Sequence, residues 1–222
     1  FTYAADDFCT NESNPVPTFI ATPGGTFSGP IELVFGNTTT GEIDAAASTP
    51  GGPYTIVYTT NGANCPNSDS IEIDIVSPPD ASFAYSQSLY CSGSGTIIPS
   101  SIATAGGIFS GPSEIDFVDV NTGEINLNTS TVGGPYTIQY TVSNAYCQES
   151  STFSFSIEQT QDASFSYAET HFCNNEGNPT PTSITTPGGS FSSSAGLVVD
   201  IATGEIDVVN STLGGPYELI YT

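Results

Sequence analysis

The string YTIVY at residues 54–58 puts Tyr54, Ile56 and Tyr58 on one face of an extended chain, with Thr55 and Val57 on the other. In SIEIDIV at 70–76 the inward set is Ile71, Ile73 and Ile75, while Glu72 and Asp74 face water. The same alternation returns in Tyr136, Ile138 and Tyr140, in Phe153, Phe155 and Ile157, and in Tyr217, Leu219 and Tyr221. A period of two means strands with one buried face. No stretch shows the three-and-four spacing of a helix. These inward residues are the predicted core, and antiparallel pairing is the predicted arrangement.

Turn signals divide the strands. Pro-Gly-Gly stands at 23–25 and Gly-Gly-Pro at 51–53, and both dipeptide types break regular structure. The whole pattern then repeats. FTY, FAY and FSY begin at residues 1, 83 and 165, a step of 82, which GGTF, GGIF and GGSF and also Cys9, Cys91 and Cys173 keep. TGEI, at 40, 122 and 203, shows one residue missing from the third copy. A period of this length is a small domain and not a solenoid turn. About seven short strands per copy, with turns every 8–12 residues, predict an all-β chain of tandem immunoglobulin-like β-sandwiches in a linear array. The predicted domains are residues 1–79, 80–161 and 162–222, the last without its final strand.

The recurring TGEI and GGPYTI elements resemble the immunoglobulin-like modules of bacterial surface proteins. The longer string F.Y….FC….NP.PT…PGG.FS…TGEID…GGPYTI.YT…C resembles the tandem repeats of very large Bacteroidetes cell-surface adhesins, among them the gliding-motility adhesin type. The resemblance covers all 222 residues. It implies a bacterial cell-surface location, export by type IX secretion, and a part in gliding and attachment. Implied partners are outer-membrane motility or secretion machinery and a surface polysaccharide or substratum.

The composition is strongly one-sided. The chain has 23 acidic residues, one His and no Lys or Arg, a formal charge of −23. Nothing can neutralise a phosphate backbone, so nucleic acid is excluded as a partner. Disorder is excluded as well, because 13 Phe and 11 Tyr in a 37% hydrophobic chain can fill cores. No apolar run is long enough to cross a bilayer as a helix. The chain starts and stops inside the pattern, which reads as part of something longer.

Five cysteines remain to be placed. Cys9 and Cys65 are 56 residues apart, as are Cys91 and Cys147. That regularity predicts one bridge inside each repeat, Cys9–Cys65 and Cys91–Cys147, in an oxidising compartment. Cys173 is left with its partner outside the chain.

Catalytic chemistry finds little support. His171 is the one imidazole, and no serine sits in a Gly-x-Ser-x-Gly elbow, so no nucleophile–base pair is indicated. The acid recurring in one context, Glu42, Glu124 and Glu205, lies in the Thr-Gly-Glu turn beside Gly41, Gly123 and Gly204. A structural role, glycine supplying positive φ, is the expectation there. Calcium is the one cofactor considered, with Asp80 and Asp162 at the domain junctions as candidates. Ser70, in Asp-Ser-Ile, is a candidate O-glycosylation site, and Asn11, Asn37, Asn128 and Asn210 fit the N-linked sequon. The expected function is a non-enzymatic spacer or adhesive stalk. The alternative is a carbohydrate-binding or accessory module array of a secreted hydrolase, for which exposed tyrosines such as Tyr90 and Tyr146 would be the mark.

Overall fold

The computed structural model describes residues 1–62 and 65–222. The chain is all-β, built of tandem immunoglobulin-like sandwiches, and no described residue is helical. It divides into two compact units, Phe1–Glu158 and Gln159–Thr222. The first unit holds two copies of the sequence repeat, each with its own core.

In the first repeat the strands are β1 (Asp7–Cys9), β2 (Thr26–Ser28), β3 (Phe35–Asn37), β4 (Glu42–Ile43), β5 (Gly51–Thr59) and β6 (Ser68–Val76). One sheet has the order β1-β6-β5-β2, and β3 pairs with β4. The central hairpin β5–β6 sets Tyr54 opposite Ile73 and Ile56 opposite Ile71. The alternation therefore delivers Ile56, Tyr58, Ile73 and Ile75 to one buried face, packed against Leu33, Ile43 and Ala45. The second repeat builds the same core from Ile138, Tyr140, Phe155 and Ile157 against Ile115, Ile125 and Leu127.

One pairing in each repeat of the first unit departs from the antiparallel expectation. β1 runs parallel to β6, with Cys9 beside Val76, and Leu89–Cys91 runs parallel to Gln148–Glu158, with Cys91 beside Glu158. These three-residue strands lie at the sheet edge, where a crossing segment can add parallel bonds without a hairpin.

The second unit repeats the plan in part. Phe191–Ser193 pairs with Leu219–Tyr221, and Phe165–Ser166 pairs with Ser183–Ile184. No described strand flanks the other edge of Leu219–Tyr221. Leu219 is accordingly half-buried, while its counterparts Ile56 and Ile138 are fully buried.

Candidate functional site

The recurring passage is built into the scaffold. Gly41, Gly123 and Gly204 have φ of 76°, 74° and 73°, a region that a side chain disfavours. A Cβ on Gly41 would also sit 2.8 Å from the Phe27 ring and from Pro17. Each turn carbonyl accepts a hydrogen bond from the tyrosine of the F-x-Y motif that opens its repeat. Tyr3 Oη donates to Gly41 O at 2.5 Å and Tyr85 Oη to Gly123 O at 2.6 Å, and Tyr167 bonds Gly204 in the same way. Burial pushes the phenols of Tyr3 and Tyr85 well above the ordinary tyrosine range, with the nearby Tyr90 adding to the effect on Tyr85.

The acids of this turn are tied down too. Asn14 donates to Glu42 and Asn178 to Glu205, at 3.2 and 2.9 Å. A second lock recurs at the Gly-Gly corner. Tyr58 Oη accepts from Gly25 N–H at 2.7 Å and donates to Thr22 O at 2.7 Å; Tyr140 and Tyr221 do the same. A Cβ on Gly25 would lie 2.2 Å from Thr59 O, so the close approach requires glycine. Ser48 and Ser130 are buried with their hydroxyls donating to Asp44 O and Asn126 O, each at 2.8 Å.

The cysteines are where the structure corrects the sequence. Cys9 is bonded to Cys147, across the two repeats of the first unit, with Cα atoms 5.7 Å apart. The predicted bridges Cys9–Cys65 and Cys91–Cys147 do not form; Cys65, Cys91 and Cys173 carry free, exposed thiols. The reason is the parallel edge strand. It carries Cys9 to the Val76 end of β6, while Cys65 precedes the Ser68 end. Eight residues of strand separate those ends, roughly 26 Å at 3.3 Å per residue. A disulfide tolerates about 7 Å between Cα atoms. Cys91 and Cys147 are held apart in the same way by the strand Gln148–Glu158.

The junction around the bridge is specific. The disulfide is buried, with Cys9 and Cys147 3% and 1% exposed. Asn144 shapes the hairpin tip by accepting from Tyr146 and Cys147 N–H at 3.0 and 2.7 Å. Its Nδ2 donates to Ser77 O of the first repeat at 3.1 Å. Asn11 donates in the other direction, to Gln148 O and Glu149 Oε2, both at 2.9 Å. The sulfurs lie 3.4 and 3.6 Å from the carbonyl oxygens of Tyr146 and Val76; oxidised sulfur has no proton, so these are contacts and not hydrogen bonds. A shallow cleft beside the bridge is lined by Asp7, Gly51, Gly52, Asp74 and Tyr146.

Among the described residues no three His, Cys, Asp or Glu side chains cluster as a metal site would require. Asp80 and Asp162 each accept from the amide two residues on, Ser82 and Ser164, at 2.9 Å. The hydroxyl and amide of Ser82 hold the Asp80 carboxyl below its usual range, and the amide and hydroxyl of Ser164 do so for Asp162. Single carboxylates committed to their own turns do not fit the six to eight oxygens of a calcium site. His171 is exposed and meets the Thr170 hydroxyl at 3.1 Å. Ser70 is exposed on β6. Among the sequon asparagines, Asn37 accepts from the Thr39 amide and Asn210 donates to Asp207. Of the two marker tyrosines, Tyr90 is buried and Tyr146 is 59% exposed.

No protein-family description matches the chain, and no curated protein matches it. Among solved structures it is similar to an I-band fragment of titin, with 12% identity over 100% of this chain and 91% of that one, at a TM-score of 0.38. It is also similar to a protocadherin gammaB7 cis-dimer fragment, with 11% identity over 92% and 67% and a score of 0.35. A third is a SusE-like surface-located polysaccharide-binding protein of the Bacteroides thetaiotaomicron heparin utilisation locus, with 11% identity over 92% and 66% and a score of 0.28. The chain thus spans about two thirds of the last two.

Proposed function

We propose that this chain is a length of tension-bearing extracellular stalk, a non-enzymatic segment of a large surface adhesin. The observation that carries this reading is the Cys9–Cys147 bridge. A pull along the backbone of the first unit enters ahead of Cys9 and leaves after Cys147. It therefore crosses the sulfur–sulfur bond and bypasses residues 10–146. Residues 10–146, with the hairpin β5–β6 and most of both cores, lie outside that path, which runs through residues 1–9, the bridge and the strand Gln148–Glu158.

Other features support the same reading. Disulfides persist in exported, oxidising surroundings. Near-copies of one domain add length without a redesigned core. A surface without Lys or Arg repels its own kind, within about 8 Å at physiological salt. The finer assignments follow the resemblance in the repeat text: a bacterial cell surface, export by type IX secretion, and use in gliding and attachment to polysaccharide or substratum.

The test is to pull the whole chain by its two ends in an optical trap. With the bridge intact, the chain between Cys9 and Cys147, a separation of 138 residues, contributes no length. Reduction should add roughly 460–500 Å, at 3.3–3.6 Å per extended residue. Release of that length under oxidising conditions would overturn the stalk.

A second reading rests on Tyr146, whose exposed ring stands in the cleft with Asp7 and Asp74. An aromatic face beside carboxylate acceptors suits a sugar. Binding on a glycan array that Tyr146→Ala abolishes would favour this reading, and an array without binding would remove it.

A further inference from the structure

Cys65 and Cys91, both in the first unit, occupy the two positions that the Cys9–Cys147 bridge joins. Cys91 ends its strand opposite Glu158, as Cys9 ends β1 opposite Val76. The next amide closes the same bond in each: Ser92 N–H donates to Glu158 O at 2.8 Å and Thr10 N–H to Val76 O at 3.0 Å. Cys65 lies in the turn that joins β5 to β6, and Cys147 lies in the turn joining Gly133–Ser143 to Gln148–Glu158. Where the two kinds of position meet they are bonded and buried; where they do not, the thiols are exposed.

We infer that Cys91, a strand-end thiol, and Cys65, a hairpin-tip thiol, are complementary disulfide sites at opposite ends of this unit, and that each takes a further copy of the same repeat, head to tail, in the Cys9–Cys147 register. The contact is heterologous, so applying it again extends the array and does not close it. Closure is a two-electron oxidation, and a disulfide of the glutathione class supplies the oxidant. One protein thiolate attacks that disulfide and releases one small thiolate. The second protein thiolate then attacks the mixed disulfide and releases the other, which leaves one protein disulfide and two reduced small thiols. The inference stands on the cysteine register and not on the load-bearing reading.

The test fuses a second copy of residues 83–164 directly ahead of Phe1 in the full chain, which continues the repeat step. Cys91 of the added copy then precedes Cys65 by 138 residues, the separation of Cys9 from Cys147. The protein is oxidised with glutathione disulfide and its bridges are mapped in non-reduced peptides. The expected result is a bridge from the added Cys91 to Cys65, with free thiols staying at the three of the present chain although two cysteines have been added. Cys65→Ser in the fusion should return the added Cys91 to the free state. Five free thiols, or Cys65 bonded to any other cysteine, would overturn the inference. The Cys9–Cys147 bridge in the same digest reports that the fold is intact. Mapping reads connectivity and trapping reads extension, so the two proposals fail separately.

Discussion

Replacing Tyr85 by Phe removes one oxygen from the second repeat and leaves its ring where it was. Tyr85 is 4% exposed, and its ring stacks at 6.1, 5.7 and 5.9 Å from Phe83, Phe153 and Phe155. Those contacts survive, so the hydrophobic contribution is unchanged. What is lost is the 2.6 Å donation to Gly123 O. The turn cannot swing that carbonyl to water, because Gly123 sits at φ 74° with its own N–H bonded to Asp119 O at 2.9 Å. A buried acceptor left unpaired costs about 1–3 kcal/mol. Native-state hydrogen exchange of the full chain, read in peptides covering Gly133–Ser143, should therefore speed up by about 5- to 150-fold, at 1.4 kcal/mol per tenfold. Tyr3→Phe should act alike in the first repeat. Tyr167→Phe should cost less, because Tyr167 is half-buried. A change under twofold at Gly133–Ser143, or an equal cost from Tyr167→Phe, would refute the lock.

Ile56 is fully buried, so Ile56→Ala should cost about 2–5 kcal/mol in unfolding experiments; Leu219→Ala, at the half-buried equivalent position, should cost under half as much, and equal costs would contradict the burial difference. In alkali the raised pKa values of Tyr3 and Tyr85 set the sign. The folded state keeps these phenols neutral while the unfolded chain releases their protons near pH 10. Their stabilisation is complete below about pH 10 and is lost as pH rises through the folded-state values. Ultraviolet titration should find these two tyrosines ionising above the ordinary tyrosine range near pH 10, and their ionisation near pH 10 with the fold intact would refute this.

Alternation and repetition carried most of the architecture. A period of two can bury only one face, so Ile56, Ile73, Ile138 and Phe155 were legible as core before any contact was known. The step of 82 residues separated domain from solenoid, and Gly41, Gly123 and Gly204 were legible as turn positions because few residues other than glycine sit at positive φ. The hydrogen bonds between F-x-Y and T-G-E were not legible, although both motifs keep the repeat. Nothing in a linear string brings Tyr3 to Gly41 until the sandwich closes.

The disulfide depended wholly on tertiary structure. A spacing of 56 within a repeat and one of 138 between repeats are equally regular in the sequence. What chose between them was the direction of a three-residue edge strand. Run parallel to β6, it carries Cys9 to the end of the sheet that meets the next hairpin tip. Run antiparallel, the same residues would have met a different end. Burial needs only a face, which composition and period supply, but a covalent bond needs two atoms at one point, and that point exists only once both repeats have folded.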